Sequence, residues 1–303
     1  MNSVGQLPQQ PATPLSRASA ASRWTAQLRN GEFWWRVLIW ALLVAGSVVM
    51  IMPFLWLLSS SFKPENDIFI FPPKWIPSTL VWQNYVDAVT KIPFWRYLWN
   101  TSYITGLSII GKVISIMLVA FAFARLRWWG RDFMFLLMLA TMMLPPHVTL
   151  IPQFILFKNF GWINTYWPLI LPNFFGGPWL TFLVRQYLMT LPRDLDDAAR
   201  IDGCSNWGVF WRIILPLAKP AVVIVVIFVF NGTWNEFLMP LIYLHSQEKF
   251  TLALGLRMFQ GEASTSWNLL MAASLLTMLP VLVLFFSAQK YFMQGIVFTG
   301  VKQ

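Results

Sequence analysis

Long apolar runs separated by short polar segments dominate the chain from residue 34 onward. A helix of about 20 apolar residues crosses the hydrocarbon core of a bilayer, and these runs reach that length. We therefore predict an all-α polytopic membrane protein with six transmembrane helices. The predicted spans are residues 37–62, 101–124, 133–157, 166–184, 221–244 and 267–288.

Two of the predicted spans carry residues that break helices. Pro145, Pro146 and Pro152 interrupt the third span, and a group of prolines and glycines between positions 168 and 178 interrupts the fourth. Proline removes a backbone donor and clashes with the preceding turn. Because broken helices are tolerated at membrane depth only where protein or a water-filled cavity surrounds them, we expect such surroundings for both spans.

The composition supports a membrane protein and excludes a soluble domain. Hydrophobic residues make up 57% of the chain and charged residues only 11%, so a soluble fold of this length would expose more apolar surface than water tolerates. Eighteen tryptophans, many beside the ends of the apolar runs, are typical of the aromatic belts at membrane surfaces. The first run begins late and lacks a small-residue cleavage site, which predicts a retained span and not a signal peptide.

Basic residues orient the predicted spans. Six crossings place both termini on one side, and the segments on that side hold about twice as many Lys and Arg residues as the opposite loops. By the positive-inside rule, that side is the cytoplasm. Residues 1–33 are then a flexible cytoplasmic tail and 34–99 the first helix with an external segment. Residues 100–290 form the core transmembrane domain, and 291–303 a cytoplasmic C-terminal tail.

The longest predicted cytoplasmic segment, residues 191–219, is polar and begins with a short helix. The first turn of this helix holds three acidic residues, Asp194, Asp196 and Asp197. Negative charge is favoured there by the helix dipole. Ala198 and Ala199 give the helix a small-residue face, and it runs to Asp202. Gly203 can adopt a positive φ and end it.

A second helix follows in the same segment. Ser205 is a good N-cap, and Pro216 and Pro220 end the helix before the fifth span. Large apolar residues fall at i, i+3, i+4 and i+7, which predicts one aromatic face: Trp207, Phe210, Trp211 and Ile214. The pattern leaves two interpretations open. The helix–turn–helix inserts into a groove on a partner protein, or it rests on the bilayer surface.

The residues of this segment resemble a known sequence signature. The run D-A-A-x-x-D-G-C at 197–204, followed by I-x-L-P-x-x-x-P at 213–220, is similar to the cytoplasmic signature of permease subunits of bacterial ATP-binding-cassette importers. The usual pattern is E-A-A-x-x-D-G-A. Here Asp197 replaces the usual Glu and Cys204 the usual Ala, which keeps a negative charge and a small side chain.

The resemblance covers about residues 35–303. The stretches 61–85, 234–244 and 279–303 are similar to the carbohydrate-uptake branch, in particular to the smaller permease of maltose importers. Relatives that carry glycerol phosphate share these stretches, so a glycerol-phosphate importer permease stays an alternative. The resemblance implies the type I importer permease fold, with six helices and both termini in the cytoplasm.

The resemblance also implies partners and an ATPase-docking surface. The permease pairs with a second permease subunit, two ATPase subunits and an external solute-binding protein, within the lipids of the bacterial plasma membrane. ATP and Mg are used by the ATPase, and this chain binds no cofactor. Coupling through the 191–219 segment would involve Asp197, Ala198, Ala199, Asp202, Gly203, Trp207 and Pro216.

Polar residues inside the spans are candidates for the translocation path. Lys112 lies near the middle of the second span, too far from either end to snorkel easily, so its ammonium either pairs with an acid or contacts substrate. Asn231 and Glu236 lie in the fifth span and can cap, pair or line the path. The sequence does not decide among these roles.

Other functional classes lack their motifs. The chain has no phosphate-binding loop and no nucleophile–base arrangement, so we predict a transport subunit and not an enzyme. His147 and His245 have no ligand companions at metal-binding spacing. The basic residues are scattered and do not form a nucleic-acid patch. An ion-coupled secondary transporter is a further alternative, but the sequence shows no duplicated halves. The transported solute is not specified by the sequence.

Overall fold

The computed structural model describes residues 31–261 and 265–297. The chain divides into two compact units, Met1–Trp56 and Leu57–Gln303. In the first unit the structure describes an apolar helical segment that contains Pro53. The described residues of the second unit form helices, turns and loops, with one isolated bridge between Gln260 and Thr265. The predicted all-α class is confirmed for the described part of the chain.

The helices are numbered in chain order. They are α1 Gly31–Ser61, α2 Gln83–Thr90, α3 Phe94–Arg125, α4 Arg131–Ala140, α5 Leu150–Asn159, α6 Trp167–Ile170, α7 Pro178–Thr190, α8 Asp194–Ile201, α9 Asn206–Leu217, α10 Lys219–Trp234, α11 Leu238–Tyr243, α12 Leu252–Leu256 and α13 Trp267–Val297. Short 3₁₀ turns lie at Glu65–Asp67, Thr141–Met143, Pro146–Thr149, Leu171–Phe175, Gln247–Lys249 and Arg257–Phe259. Within α9, Phe210–Ile214 is π-helical.

Three of the described helices are long and apolar enough to cross a membrane alone. The qualifying stretches are Phe33–Ser61, Phe94–Arg125 and Trp267–Gln289, and they contain or overlap the predicted first, second and sixth spans. Two bent helix pairs reach membrane length together. Arg131–Met143 with His147–Asn159 bends by 84° at the prolines of the predicted third span. Asn206–Leu217 with Lys219–Trp234 bends by 75°, and its first member lies in the predicted cytoplasmic segment.

The predicted fourth span, 166–184, is divided among α6, the 3₁₀ turn Leu171–Phe175 and α7. The break falls at Gly176, whose φ of 78° and ψ of −148° belong to a region that residues with a Cβ rarely enter. Pro178 then begins α7, and proline is tolerated in a first helical turn. The interruption that the prolines and glycines of this stretch predict is therefore confirmed.

The predicted fifth span, 221–244, is also divided. Helix α10 ends at Trp234, and the chain resumes as the short helix α11 at Leu238. The Oε1 atom of Glu236 accepts hydrogen bonds from the backbone N–H groups of Leu238 (3.0 Å) and Met239 (3.2 Å). Those amides would otherwise lack partners at the start of a helix, so Glu236 stabilises the break.

The largest core of the second unit surrounds α3. Buried apolar side chains of α3, α7, α8, α9 and α10 form one cluster, which includes Ile116, Ala120, Val184, Leu188, Ala199, Ile214 and Val225. A second cluster joins α2, the first turns of α3, and α13 through residues such as Tyr97, Trp234 and Ala273. Helix α3 is thus the central element of this unit, and α7 and α10 pack on it most extensively.

The predicted tails fall mostly outside the described residues. Positions 1–30 and 298–303 are outside, so the predicted cytoplasmic location of both termini concerns residues that the structure does not describe. Within the described part, α1 already begins at Gly31 and α13 extends to Val297. These helix ends lie inside the segments 1–33 and 291–303 that the sequence assigned to tails.

Candidate functional site

Helices α8 and α9 form a compact helix–turn–helix, which we call the elbow (residues 194–217). Helix α8 ends at Ile201, and Gly203 in the turn after it has a φ of 81°, in the left-handed region that glycine adopts without a Cβ clash. The N–H of Cys204 donates to Ala199 O at 2.9 Å, which closes the turn. Ser205 Oγ accepts from Gly208 N–H at 3.3 Å. The bend at Gly203 and the Ser205 cap are both confirmed.

The outer surface of the elbow carries most of the residues predicted to dock a partner. The exposed members are Asp197, Ala198, Asp202, Gly203, Trp207 and Pro216. Ala199 is different, because its side chain is buried in the core cluster around α3. Successive helical residues point about 100° apart, so Ala198 and Ala199 lie on different sides and the predicted two-alanine face does not form.

The predicted aromatic face is also divided between two environments. Trp207 and Trp211 are 58% and 55% exposed, whereas Phe210 and Ile214 are 2% and 0% exposed. The π-helical turn Phe210–Ile214 widens the spacing of side chains around the helix, and Phe210 packs on Phe121 of α3 at a ring distance of 5.1 Å. The four residues therefore do not share one surface.

One exposed apolar residue of the elbow was missed by the sequence analysis. Ile201, in the last turn of α8, is 87% exposed. Its neighbours Arg200, Asp202 and Gly203 are exposed as well. Isolated exposed isoleucine is common on protein surfaces, but here it lies between Asp197 and Trp207, two residues that are predicted to dock the ATPase. Ile201 is four residues after Asp197, and this i, i+4 spacing indicates that the two residues share one face of α8.

A buried ion pair fixes the elbow to α3, and the sequence analysis also missed it. Arg125 Nη1 lies 3.2 Å from Asp196 Oδ2, with side chains that are 2% and 5% exposed. Arg125 Nη2 also donates to Leu188 O (2.7 Å) and Leu191 O (3.0 Å). The sequence alone predicts Asp196 as one of three acids in the first turn of α8, where the helix dipole favours negative charge. In the structure the Asp196 side chain is buried on the same side of α8 as Ala199. The i, i+3 spacing of these two residues is the sequence feature that indicates a shared helix face.

A second candidate region is a cavity of about 430 Å³ between α3, α7, α10 and α11, which we call the cavity. Lys112 Nζ, half-buried at its wall, donates to Asn173 Oδ1 at 3.2 Å. The amide nitrogen of Asn173 donates to Ser108 Oγ (3.1 Å) and Leu169 O (2.9 Å). Among the described residues, Lys112 has no carboxylate within 4.0 Å.

The three predicted path residues do not all meet. Lys112 and Glu236 both line the cavity, and Glu236 also caps α11. Asn231 does not line it. Its backbone carbonyl and side-chain oxygen both accept from Asn235 Nδ2 at 2.9 Å, on an exposed part of α10. The aromatic wall of the cavity, Trp179 and Phe228, was not singled out by the sequence.

Asn164 joins two loops and was also missed. Its φ of 59° is unusual for a residue with a Cβ. Asn164 Oδ1 accepts from His245 N–H (3.1 Å) and Ser246 N–H (3.0 Å), and Asn164 Nδ2 donates to Ser246 Oγ at 2.7 Å. Lys249 Nζ donates to Asn164 O at 2.6 Å. These bonds tie the turn after α5 to the segment after α11.

The comparisons with known proteins agree with these features. A family model described as binding-protein-dependent transport system inner membrane component matches residues 112–297, which include the elbow and much of the cavity wall. The chain belongs to this family. It is a permease subunit of an ATP-binding-cassette importer.

Three curated relatives illustrate the similarity. The chain is 33% identical to the probable ABC transporter permease protein YurM of Bacillus subtilis, over 87% of this chain and 88% of the relative. It is 33% identical to the arabinooligosaccharides transport permease AraQ of Halalkalibacterium halodurans, over 88% and 97%. It is 33% identical to the sn-glycerol-3-phosphate transport permease UgpE of Escherichia coli, over 87% and 96%.

A solved structure shares the fold. A chain of a bacterial ABC transporter involved in the import of the acidic polysaccharide alginate matches with a TM-score of 0.77 at 20% identity, over 87% of this chain and 98% of that chain. This likeness shows that the two chains share a fold.

Proposed function

We propose that this permease forms half of the translocation path for a sugar or oligosaccharide that an external solute-binding protein delivers. Relatives named for arabinooligosaccharides, diacetylchitobiose and galactooligosaccharides support the substrate class. The relative named for sn-glycerol 3-phosphate keeps that solute as the alternative. In this proposal the path includes Lys112 and Glu236 at the cavity and Asn231 beside it.

The elbow is the proposed docking surface for the ATPase. The single observation that carries this role is that Asp197, Asp202, Ile201 and Trp207 are all exposed on one polar segment whose inner side is fixed by Arg125 and Asp196. The remaining elbow residues of the signature, Ala198, Ala199, Gly203 and Pro216, shape this surface. The ATPase uses ATP and Mg, and the permease itself binds no cofactor.

The proposed assembly contains this chain, a second permease, two ATPase subunits and the binding protein in the bacterial inner membrane. Purification of the full complex and reconstitution into liposomes tests it. We expect ATP hydrolysis that rises when saccharide-loaded binding protein is added, and ATP-dependent uptake. Uptake by this chain alone under an ion gradient would instead establish the secondary transporter.

Six spans with both termini in the cytoplasm complete the proposal. The long helices α1, α3 and α13 supply three spans, and the bent or interrupted segments 131–159, 166–190 and 219–243 supply the others. Labelling of single cysteines in intact cells, in a Cys204→Ala background, tests the orientation. We expect an impermeant reagent to label Lys74→Cys from outside and to leave Arg200→Cys unlabelled. The reverse pattern would invert the topology.

A further inference from the structure

The cavity holds two formal charges that are not paired with each other, beside two aromatic rings. We propose that it is a subsite for one neutral sugar ring, which packs on Trp179 and Phe228 and places hydroxyl groups between Lys112 and Glu236. This inference rests on the proposed import of carbohydrate and narrows it, because it assigns the subsite to this chain and excludes anionic solutes.

The aromatic wall fits the apolar face of a sugar. Trp179, in the first turn of α7, and Phe228 of α10 meet edge to face at a ring distance of 4.7 Å and an angle of 84°. Both rings line the cavity and stay 44% and 42% exposed. The faces of aromatic rings carry partial negative charge, and the C–H groups of a sugar ring are weakly positive partners for such faces. Trp179 follows the helix break at Gly176 by three residues.

The polar groups of the cavity supply complementary hydrogen bonds. An ammonium has three N–H donors, and Lys112 donates one of them to Asn173 Oδ1. Glu236 Oε1 accepts the two backbone N–H groups of α11, whereas its other oxygen accepts no bond from the described residues. A sugar hydroxyl both donates and accepts. It can therefore accept from Lys112 and donate to Glu236, which an anionic group cannot do.

The charge balance argues against phosphate and carboxylate ligands. Lys112 and Glu236 together leave no net positive charge among the described residues that line the cavity. Phosphate and carboxylate sites normally use arginine forks or free N–H groups at helix N-termini. The N–H groups that begin α11 are already occupied by the Glu236 carboxylate. An anion would therefore meet one cation and one fixed negative charge.

The size of the cavity suits one part of a larger solute. Its volume of about 430 Å³ is within the range of small-molecule sites, about 300–1,000 Å³. Apolar side chains, including Ile104, Leu180 and Val229, form much of the remaining wall. Such a surface holds a sugar ring through a few polar contacts without binding it so tightly that passage stops.

The test uses the full importer in liposomes and four permease variants. Uptake is measured with arabinotriose, galactotriose, maltotriose, trigalacturonate and sn-glycerol 3-phosphate, each presented with the binding protein. The neutral trisaccharide with the fastest uptake then serves as the probe. Trp179→Ala should lower kcat for the probe about fivefold to tenfold, with KM for the loaded binding protein unchanged. Trp179→Phe should retain at least about half of the native rate, since it keeps an aromatic face.

Two further variants separate the subsite from general effects. Trp129→Ala removes a fully exposed tryptophan that does not line the cavity, so uptake should equal that of the native complex. Glu236→Gln keeps an oxygen for the α11 amides and removes the negative charge. We expect sn-glycerol 3-phosphate to inhibit probe uptake in this variant and not in the native complex. Unfolding temperatures of all four complexes check that the fold is intact.

The outcomes distinguish this inference from the proposed function. If the native complex imports sn-glycerol 3-phosphate or trigalacturonate faster than every neutral trisaccharide, the neutral-sugar assignment is wrong while ATP-driven import stands. If Trp179→Ala imports the probe as fast as Trp129→Ala, the subsite is not in this chain. If no probe enters with ATP, the proposed function itself fails.

Discussion

The buried pair of Arg125 and Asp196 gives the most direct test of how the elbow is held. Asp196→Asn preserves size and keeps an oxygen that can accept a hydrogen bond from Arg125, but it removes the negative charge. Breaking one side of a buried ion pair costs about 3–5 kcal/mol. Because the asparagine oxygen is retained, we expect about 3 kcal/mol. The loss falls on the docking of α8 against α3 and not on the six proposed spans.

A loss of about 3 kcal/mol changes an equilibrium constant roughly 150-fold. Hydrogen exchange of the purified complex measures this directly, because exchange of protected amides reports the free energy of local opening. Amides of residues 198–204 should exchange about 100-fold faster or more in Asp196→Asn. Amides in the middle of α13 should be unchanged. Uptake per ATP hydrolysed should fall, since a detached elbow moves without moving α3.

Asp194→Asn is the matched control. Asp194 belongs to the same first turn of α8 but is exposed, so its loss should cost no more than about 0.5–1 kcal/mol through the helix dipole. Equal exchange rates in Asp196→Asn and Asp194→Asn would refute the reasoning. That result would mean that the 3.2 Å pair contributes nothing to fixing the elbow.

Three further changes have specific expected results. Gly203→Ala places a Cβ at a φ of 81° and should cost about 1 kcal/mol or more, with weaker capture of the ATPase. Gly208→Ala, inside α9, should not weaken capture, and equal losses in both would rule out backbone strain as the cause. Ser205→Ala removes the N-cap of α9 and should cost about 1 kcal/mol in thermal unfolding of the complex, and an unchanged midpoint would show that the cap is dispensable. Asn164→Ala removes the bonds to residues 245–246 and should increase proteolysis of these loops, whereas Asn164→Asp keeps the accepting oxygen and should stay closer to native; equal cleavage of the two variants would contradict this account.

Local chemistry explains what the sequence predicted well. The bend at Gly203 and the cap at Ser205 depend on residues within a few positions of each other, so their types are enough to predict them. Long apolar helices such as α3 are equally direct, because length and composition decide them. The family signature at 197–204 also lies in one continuous stretch. Each of these features needs no knowledge of distant parts of the chain.

The remaining features depend on contacts between distant positions. Arg125 and Asp196 are far apart in sequence, and nothing local shows that this arginine turns to α8 instead of to the membrane surface. The split of Trp207 from Phe210 follows from a π-helical turn, which a period of 3.6 residues does not anticipate. Trp179 and Phe228 lie on different helices, α7 and α10, and nothing local in the sequence shows that their rings meet. From the sequence, the expected partner of the Lys112 ammonium was either an acidic side chain or the substrate. In the structure it donates to the neutral side chain of Asn173.

The two helix breaks that border the cavity are the points at which we expect this chain to bend. Gly176 separates the 3₁₀ turn from α7, and residues 235–237 separate α10 from α11. Rotation about a few backbone bonds at these two points moves α7 and α10 as rigid rods, with their internal hydrogen bonds intact. Lys112 and Glu236 each bond to one of the broken segments. If the proposed solute binds between these side chains, we expect its arrival and departure to change the angles at both breaks.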